Sequence, residues 1–592
     1  MDDVDAVQAQ IARNMLTSGD WVTAHIDRIA YLEKPPLLYW VTAISYKVFG
    51  VHDWSARLPI VLSAIALCWL TVAFGVWAFG KRAGFYAGLC MATCVGLFLF
   101  TRVIIPDVML CITIALAMWA FLRAIDDEEQ HPRLWAAVLA ANLGLGLLLK
   151  SLIGVVFPVA AALLYLLFTR QLFSAKVWRR LHPFLGTAVI LAIAAPWHIL
   201  ATLRNPPTFA WTLHSGPGDY HGFLWFFFIN EQLLRFLNMR YPRDYNTVPR
   251  AYFWLFHLIW LFPWSVYLPA VVKQCFGGEN PGWKPVDRAG RTRLLALSWI
   301  GFILVFFTFS TTQEYYSMPC YAAFALLIGS AMAGGGDWIR RGTRVLTAIA
   351  ACAAIAAFAL AFHVRGIPTP GDISMALGHH PKVYSLSLGH MEDLTIDSFA
   401  YLRTPLILAG IAFLIGALGT IRWVGQRAFF AAALMMVVFF HAARLAMVTF
   451  DPYMSSHQLA VALSRAPQGT LISEGHFYDF SSAFFYDGRT SLLIADRRVN
   501  LDYGSYAPHA PHMFIRDSEF KSLWLAPARC YFLVKESDLD RFQAIVGPTE
   551  MSVVASSGGK LLLTNHPLHI SAPEPAMRGV NSGRGAILHL HS

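Results

Sequence analysis

Twelve stretches of this chain are long and apolar enough to cross a bilayer as helices, and that constrains every other reading of the sequence. A spanning helix needs about 17–25 mostly apolar residues to cover the hydrocarbon core. Backbone amides find no water there, so helix is the form such runs must take. The runs are 56–79, 85–101, 107–124, 134–150, 153–169, 184–203, 251–273, 293–311, 315–335, 344–363, 403–421 and 427–449. Only Lys150-Ser151-Leu152 separates the fourth from the fifth. Together those two are too long for one span, so two helices are expected.

Basic residues in the short loops set the orientation. Alternate loops hold Lys81 and Arg82, then Arg123 and Arg133, and so on to Arg422 and Arg427, while the intervening short loops offer only Arg102 and Lys150. The basic set belongs in the cytoplasm. Residues 1–55, 204–250, 364–402 and everything after 450 then face the other side, the periplasm of a bacterium. Residues 1–55 are outside with no span ahead of them, so the full protein is expected to begin upstream with a thirteenth helix. The alternative is that a short N-terminal segment crosses unaided.

With 56% hydrophobic and 14% charged residues the composition is that of a membrane protein. A net charge of +10 could suggest nucleic acid, but the cations are scattered between apolar runs rather than gathered in a stripe, so no nucleic-acid partner is expected. The eight cysteines have neither paired nor metal-ligand spacing. After residue 450 short strand-like runs (470–473, 491–494, 530–534, 552–555, 560–563) alternate with helix-like stretches (456–465, 537–545), which predicts a small α/β domain. The expected fold is a polytopic α-helical membrane protein of about twelve spans here. Residues 1–55 form a first periplasmic loop with amphipathic helices, 56–450 the membrane domain, 451–570 a periplasmic α/β domain and 571–592 a disordered tail.

Polar residues at one set of helix ends carry the chemistry, and each has an ordinary explanation beside the functional one. Asp2, Asp3 and Asp5 open an amphipathic helix, where carboxylates suit the macrodipole. In Tyr31-Leu32-Glu33-Lys34-Pro35-Pro36 the prolines end one element and start another. Lys34 there can meet a phosphate and Glu33 a divalent metal, or the two form a surface ion pair. Arg102 and Asp107 flank Pro106 at a turn, where Asp107 also caps a helix. The loop 204–250 carries His214, Asp219, His221, Asn230, Glu231 and Arg235 on an aromatic background that suits an interfacial helix. His257 lies inside a span, where an ionisable group is either functional or a packing residue. Glu314, Tyr315 and Tyr316 occupy a polar loop, and the tyrosines could equally be interface anchors. All these groups fall on one face, with nothing comparable at the midplane, where a secondary transporter keeps its site.

The run ARNMLTSGDWVTAHIDRIAYLEKPPLLYW resembles the first periplasmic loop of the bacterial aminoarabinose transferases and related protein O-mannosyltransferases of the GT-C superfamily. RVIIPDVMLCITIALA, NEQLLRFLNMRYPRDY, FHLIWLFPWS and QEYYSMPCYAAFALLIG extend the resemblance over most of residues 1–335. It implies thirteen spans, a C-terminal periplasmic α/β domain, and transfer of a sugar from a polyprenyl-phosphate carrier. By that resemblance an Asp near the N-terminus is the general base, Lys34 and Arg102 meet the lipid phosphate, Glu33 and His257 hold a divalent metal (Zn, Mg or Mn), and Asp107 is an acidic site at the mouth. One departure stands out. Relatives carry Asp-Glu and then Arg-Tyr-Ala, whereas registering this chain on IARNML puts Val4 at the Asp position and Asp5 at the Glu position. Asp3, in a longer loop, or Asp5 then takes the role, with Asp3 preferred. KSLIG replaces a Lys-Gly-Pro-like pattern, which makes Lys150 the weaker phosphate candidate.

The expected partners are a polyprenyl-phosphate sugar donor, membrane lipids, and an envelope acceptor such as lipid A, another glycan or lipid, or a protein. The expected location is the bacterial inner membrane, with the active face periplasmic. A flippase for lipid-linked sugars is the alternative; it would share the membrane body without needing a base and a phosphate-binding cation on one face.

Overall fold

The computed structural model describes residues 1–242, 249–277, 281–310, 313–378, 393–475, 479–494 and 501–568. The expected tail 571–592 lies outside them, as does part of the 364–402 segment. Among the described residues nine helices are long and apolar enough to cross a membrane, or ten if one bent pair counts as a span. All fall on the runs read from the sequence, and this is a multi-pass membrane protein.

The chain opens with α1 (Asp3–Ser18), a two-residue hairpin of β1 (His25–Ile26) and β2 (Ile29–Ala30), and α2 (Leu37–Phe49). The membrane helices then begin with α3 (Asp53–Phe79), α4 (Lys81–Thr93), α5 (Val95–Phe100), α6 (Asp107–Ile125) and α7 (Pro132–Lys150).

Three of the twelve expected runs are not straight crossings. The run 85–101 breaks at Cys94, which is extended, into α4 and α5. The run 251–273 bends by 96° between Arg250–Trp260 and Trp264–Phe276. Pro263 supplies the cause, since it cannot donate to the helix ladder and crowds the preceding turn. The two breaks satisfy one another: Val95 N–H donates to the Phe262 carbonyl at 3.1 Å. The third run, Ile153–Phe168, is a helix of 16 residues.

Lys150-Ser151-Leu152 does separate two helices. The turn is tight because glycines face each other: a Cβ on Gly154 would stand 2.4 Å from the Gly146 carbonyl carbon. Small residues let helix backbones approach where lipid offers no hydrophobic drive. The turn leaves Lys150 at the C-terminus of α7, beside Asp107 at the N-terminus of antiparallel α6. Each charge complements the dipole of its own helix.

The C-terminal part is the small α/β domain expected. Its sheet comprises β3 (Thr470–Glu474), β4 (Ser491–Ile494), β5 (Cys530–Lys535), β6 (Ser552–Ser557) and β7 (Lys560–Thr564), in the order β4-β3-β5-β7-β6. β3 runs parallel to β4 and β5, and β7 antiparallel to β5 and β6. Phe520, Trp524, Phe532 and Phe542 form its aromatic core. Helix α1 lies between this domain and the membrane helices, which buries it on opposite sides.

Candidate functional site

Two prolines position the first pair of charges. Pro36 caps α2, so Glu33 and Lys34 are held at the junction just before it. Glu33 is 5% exposed; Tyr31 Oη donates to its Oε2 at 2.9 Å and Arg240 Nη2 to its Oε1 at 2.5 Å. Lys34 Nζ lies 3.6 Å from Glu33, and its side chain is a third exposed.

A helical segment covering Gly222–Leu224 and the wide-turned Trp225–Leu234 brings in the next group. Its aromatic face, Trp225, Phe226 and Phe227, is buried, and Glu231 with it. Such π-type turns concentrate at functional sites. Arg240 also donates to Glu231, and Arg235 Nη1 reaches the other Glu231 oxygen at 3.0 Å. Burial pushes the Glu231 carboxyl up, but Arg240 and Arg235 outweigh it and hold the group below its ordinary value. Arg235 Nη2 donates to Tyr316 Oη at 3.0 Å. Lys150 Nζ stands 4.9 Å from the Tyr316 ring centre and 5.2 Å from that of Tyr315. It closes on Asp107 Oδ1 at 2.5 Å.

The result is one chain of contacts: Lys34, Glu33, Arg240, Glu231, Arg235, Tyr316, Lys150, Asp107. Four cations face three carboxylates. That excess positive charge, walled by tyrosines, favours an anion, and guanidinium forks match phosphate oxygens in particular. Glu314 is buried at the start of the segment carrying the two tyrosines. Arg102 stands apart from this chain, with its guanidinium over the Phe98 ring at 4.7 Å.

The two N-terminal aspartates also lie elsewhere. Asp3 Oδ1 accepts from Ser456 Oγ at 2.7 Å and Ser482 N at 2.8 Å, and Oδ2 pairs with Lys560 Nζ at 2.6 Å. Asp5 is fully buried, accepts from Ile104 N at 2.7 Å and pairs with Arg57. Burial and Asp2 push its carboxyl up to about 7. Val4, between them, is 53% exposed. Each aspartate is thus engaged with its neighbours, and the turn's outward position carries no acid.

His257, expected with Glu33 to hold a metal, is buried in the helix Arg250–Trp260. His257 Nδ1 lies 2.8 Å from the Phe253 carbonyl, and its ring packs on Phe253 and Phe324. Both Glu33 oxygens are taken by hydrogen-bond donors. Among the described residues no three His, Cys, Asp or Glu side chains are grouped to hold a metal. His257 Nε2 is buried without a hydrogen-bond partner among the described residues.

Arg240, the centre of the chain of contacts, was not singled out from the sequence; its only signal is its place within the NMRYPRDY block. Arg235 stands in the sequence among the polar residues of the 204–250 loop, and Lys150 as the weaker phosphate candidate.

Residues 33–200 match the family described as dolichyl-phosphate-mannose-protein mannosyltransferase. The chain is 26% identical over 331 residues to the undecaprenyl phosphate-alpha-4-amino-4-deoxy-L-arabinose arabinosyl transferase of Enterobacter sp. (strain 638), covering 54% of this chain and 53% of that one. It therefore spans about half the length of the first curated relatives it matches. The Serratia proteamaculans (strain 568) protein of the same name aligns at 24% identity over 535 residues, 88% of this chain and 86% of the relative. Among solved structures, ArnT from Cupriavidus metallidurans bound to undecaprenyl phosphate superposes with a TM-score of 0.75 at 23% identity, covering 95% of this chain and 93% of that one. That likeness establishes the fold. In sequence the chain is thus similar to the dolichyl-phosphate-mannose-protein mannosyltransferase family and to the aminoarabinose transferases, and it shares the fold of the solved transferase.

Proposed function

We propose that this chain transfers a sugar from a polyprenyl-phosphate carrier to an envelope acceptor at the periplasmic face of a bacterial inner membrane. The observation that carries this reading is the contact chain from Lys34 to Asp107, with four cations gathered at one end of the membrane helices. In such a transfer an acceptor hydroxyl attacks the anomeric carbon, the bond from that carbon to the phosphate oxygen breaks, and the lipid phosphate leaves with both bonding electrons. Lys34, Arg235 and Lys150 would hold the departing phosphate and stabilise its growing charge, while Arg240, taken up by Glu33 and Glu231, positions the two glutamates. The acceptor proton goes to a carboxylate. Asp107, which Lys150 orients from 2.5 Å, is the carboxylate we assign to that step. Asp3 and Asp5 lie outside this chain of contacts and tie α1 to the C-terminal domain and to the turn at Ile104. The names of the relatives make undecaprenyl-phosphate aminoarabinose the first donor to try, with lipid A as a first acceptor.

The test uses membranes containing the chain and radiolabelled undecaprenyl-phosphate aminoarabinose. Label is expected to move to an acceptor with release of lipid phosphate. Lys34→Ala is expected to slow transfer by about a hundredfold, the usual scale for removing one group that stabilises developing charge. Label that crosses the bilayer still attached to its lipid would replace this reading with a flippase.

A further inference from the structure

A second concentration of positive charge lies near the same end of the helices, outside the chain of contacts described above. Arg57 in α3, Arg102 after α5 and Arg444 in the Gln426–Met454 helix converge there. Two contacts fix their placement. Arg57 Nη1 donates to the Arg102 carbonyl. Phe98 and Phe440, four residues before Arg102 and Arg444 respectively, stack face to face with ring centres 4.2 Å apart and planes 1° from parallel. The stack sets the two arginines side by side, with the Arg102 guanidinium lying over Phe98.

Their charges are poorly answered. Arg57 pairs with Asp5, while the guanidiniums of Arg102 and Arg444 have no carboxylate or hydrogen-bond partner among the described residues. Burial lowers the Arg102 pKa, and Arg57 and Arg444 lower it further. Like charges held together without a counterion are destabilising, so the arrangement favours an anion between them. Depth narrows its source. Arg444 sits five residues inside the outer end of the apolar run 427–449, about 7 Å at 1.5 Å per residue. An arginine reaches lipid headgroups from that depth by extending its side chain. Arg444 is exposed, and Phe98 and Phe440 are half-buried beside it, offering an apolar surface to acyl chains.

We infer that Arg57, Arg102 and Arg444 form a second anion site, which takes the phosphate of a membrane lipid from the bilayer side. The chemistry is shared by two sources, a phospholipid headgroup and a phosphorylated glycolipid acceptor. The site lies outside the contact chain from Lys34 to Asp107, and the proposal does not rest on the transfer reading.

The full chain, purified in detergent, is titrated by native mass spectrometry with phosphatidylglycerol, a diphosphorylated disaccharide lipid, and diacylglycerol as an uncharged control. Replacing two guanidiniums (Arg102→Gln with Arg444→Gln) is expected to weaken binding of phosphorylated lipid about tenfold and leave diacylglycerol binding unchanged. Arg444→Gln alone removes an exposed side chain that holds nothing in the fold, and is expected to weaken binding about threefold. Loss confined to the disaccharide lipid assigns the site to the acceptor, and equal loss for both lipids assigns it to headgroups. Phosphorylated lipids bound equally by wild type and Arg444→Gln, or lost together with diacylglycerol, overturn the proposal.

Discussion

Arg240 donates from Nη2 to Glu33 Oε1 at 2.5 Å across 207 residues of sequence, and the same guanidinium reaches Glu231. All three side chains are 5% exposed or less. One guanidinium thereby bridges two carboxylates brought together by separate loops, with Lys34 and Arg235 pairing one each from the far side. Removing one partner of a buried ion pair typically costs about 3–5 kcal/mol, because the stranded charge remains desolvated. Arg240→Gln is therefore expected to lower thermal stability and abolish transfer together. Arg240→Lys, which keeps the charge and loses the fork, should recover more stability than transfer. A differential scan alongside the labelled-donor assay checks both. An Arg240→Gln protein as stable as wild type would mean that the two glutamates find other partners.

The Asp3–Lys560 pair separates a base from an anchor. Asp3 meets Lys560, Ser456 and Ser482, all from the chain after residue 450. An anchor predicts thermodynamic coupling, and double-mutant cycles within such buried networks give about 0.5–3 kcal/mol. Asp3→Asn and Lys560→Met are each expected to destabilise, with the double variant less impaired than the sum. A base predicts something else: Asp3→Asn would stop transfer with no change in stability and no coupling to Lys560.

The spans, the strands of the C-terminal sheet, and Glu33, Lys34 and Asp107 could all be read from the sequence, because apolar run length, strand periodicity and proline punctuation are local signals. The partners of those charges were not. Arg240 meets Glu33 only through the fold, 207 residues away in sequence. The partners of the aspartates were hidden for a different reason. Residues two apart on a helix point about 200° from each other, so Asp3 and Asp5 suit a helix with one wet face poorly. Here α1 is covered on opposite sides, Asp3 against the C-terminal domain and Asp5 against the 101–106 turn. Val4 is left outward. The single runs drawn through Cys94 and Pro263 erred because apolarity registers neither an extended residue nor a missing amide.

Asp27 gives a pH signature. It forms the tip of the β1–β2 hairpin, fully buried near Gln10 and Arg13, and burial pushes its carboxyl up to about 7. The folded state holds this proton more tightly than the unfolded chain, whose value is near 3.8. Stability therefore falls as pH rises between about 4 and 7, by at most about 1.4 kcal/mol per pH unit from this group. Asp27→Asn, which cannot ionise, is expected to flatten that part of the profile. Unfolding of both proteins followed from pH 4 to pH 8 checks it; parallel profiles would assign the dependence elsewhere, with Asp5 the next group to test.

Asp502, Tyr503 and Gly504 place a short helix of the C-terminal domain against each of the segments that bear Glu33, Glu231 and Arg240. Tyr503 Oη accepts from His221 N at 2.8 Å and donates to the Gly222 carbonyl at 2.9 Å, while its ring stacks on Phe226 at 4.0 Å. Tyr241, next to Arg240, donates to Asp502 at 3.1 Å. Gly504 lies against the Ala30 carbonyl so closely that a Cβ would stand 2.0 Å from it. Ala30 is only three residues before Glu33, so a side chain at 504 must move the strand that delivers Glu33 and Lys34. Gly504→Ala is thus expected to impair donor binding although residue 504 itself is absent from the chain of contacts. Tyr503→Phe keeps the stacking and loses both hydrogen bonds, each worth about 0.5–1.5 kcal/mol, so its effect should be milder and confined to the Gly222–Leu234 segment. Hydrogen exchange on the full chain separates the two: Gly504→Ala should speed exchange around residues 29–34, and Tyr503→Phe around residues 221–226. Faster exchange with undiminished affinity for undecaprenyl phosphate would show that the C-terminal domain braces these loops without setting the phosphate site.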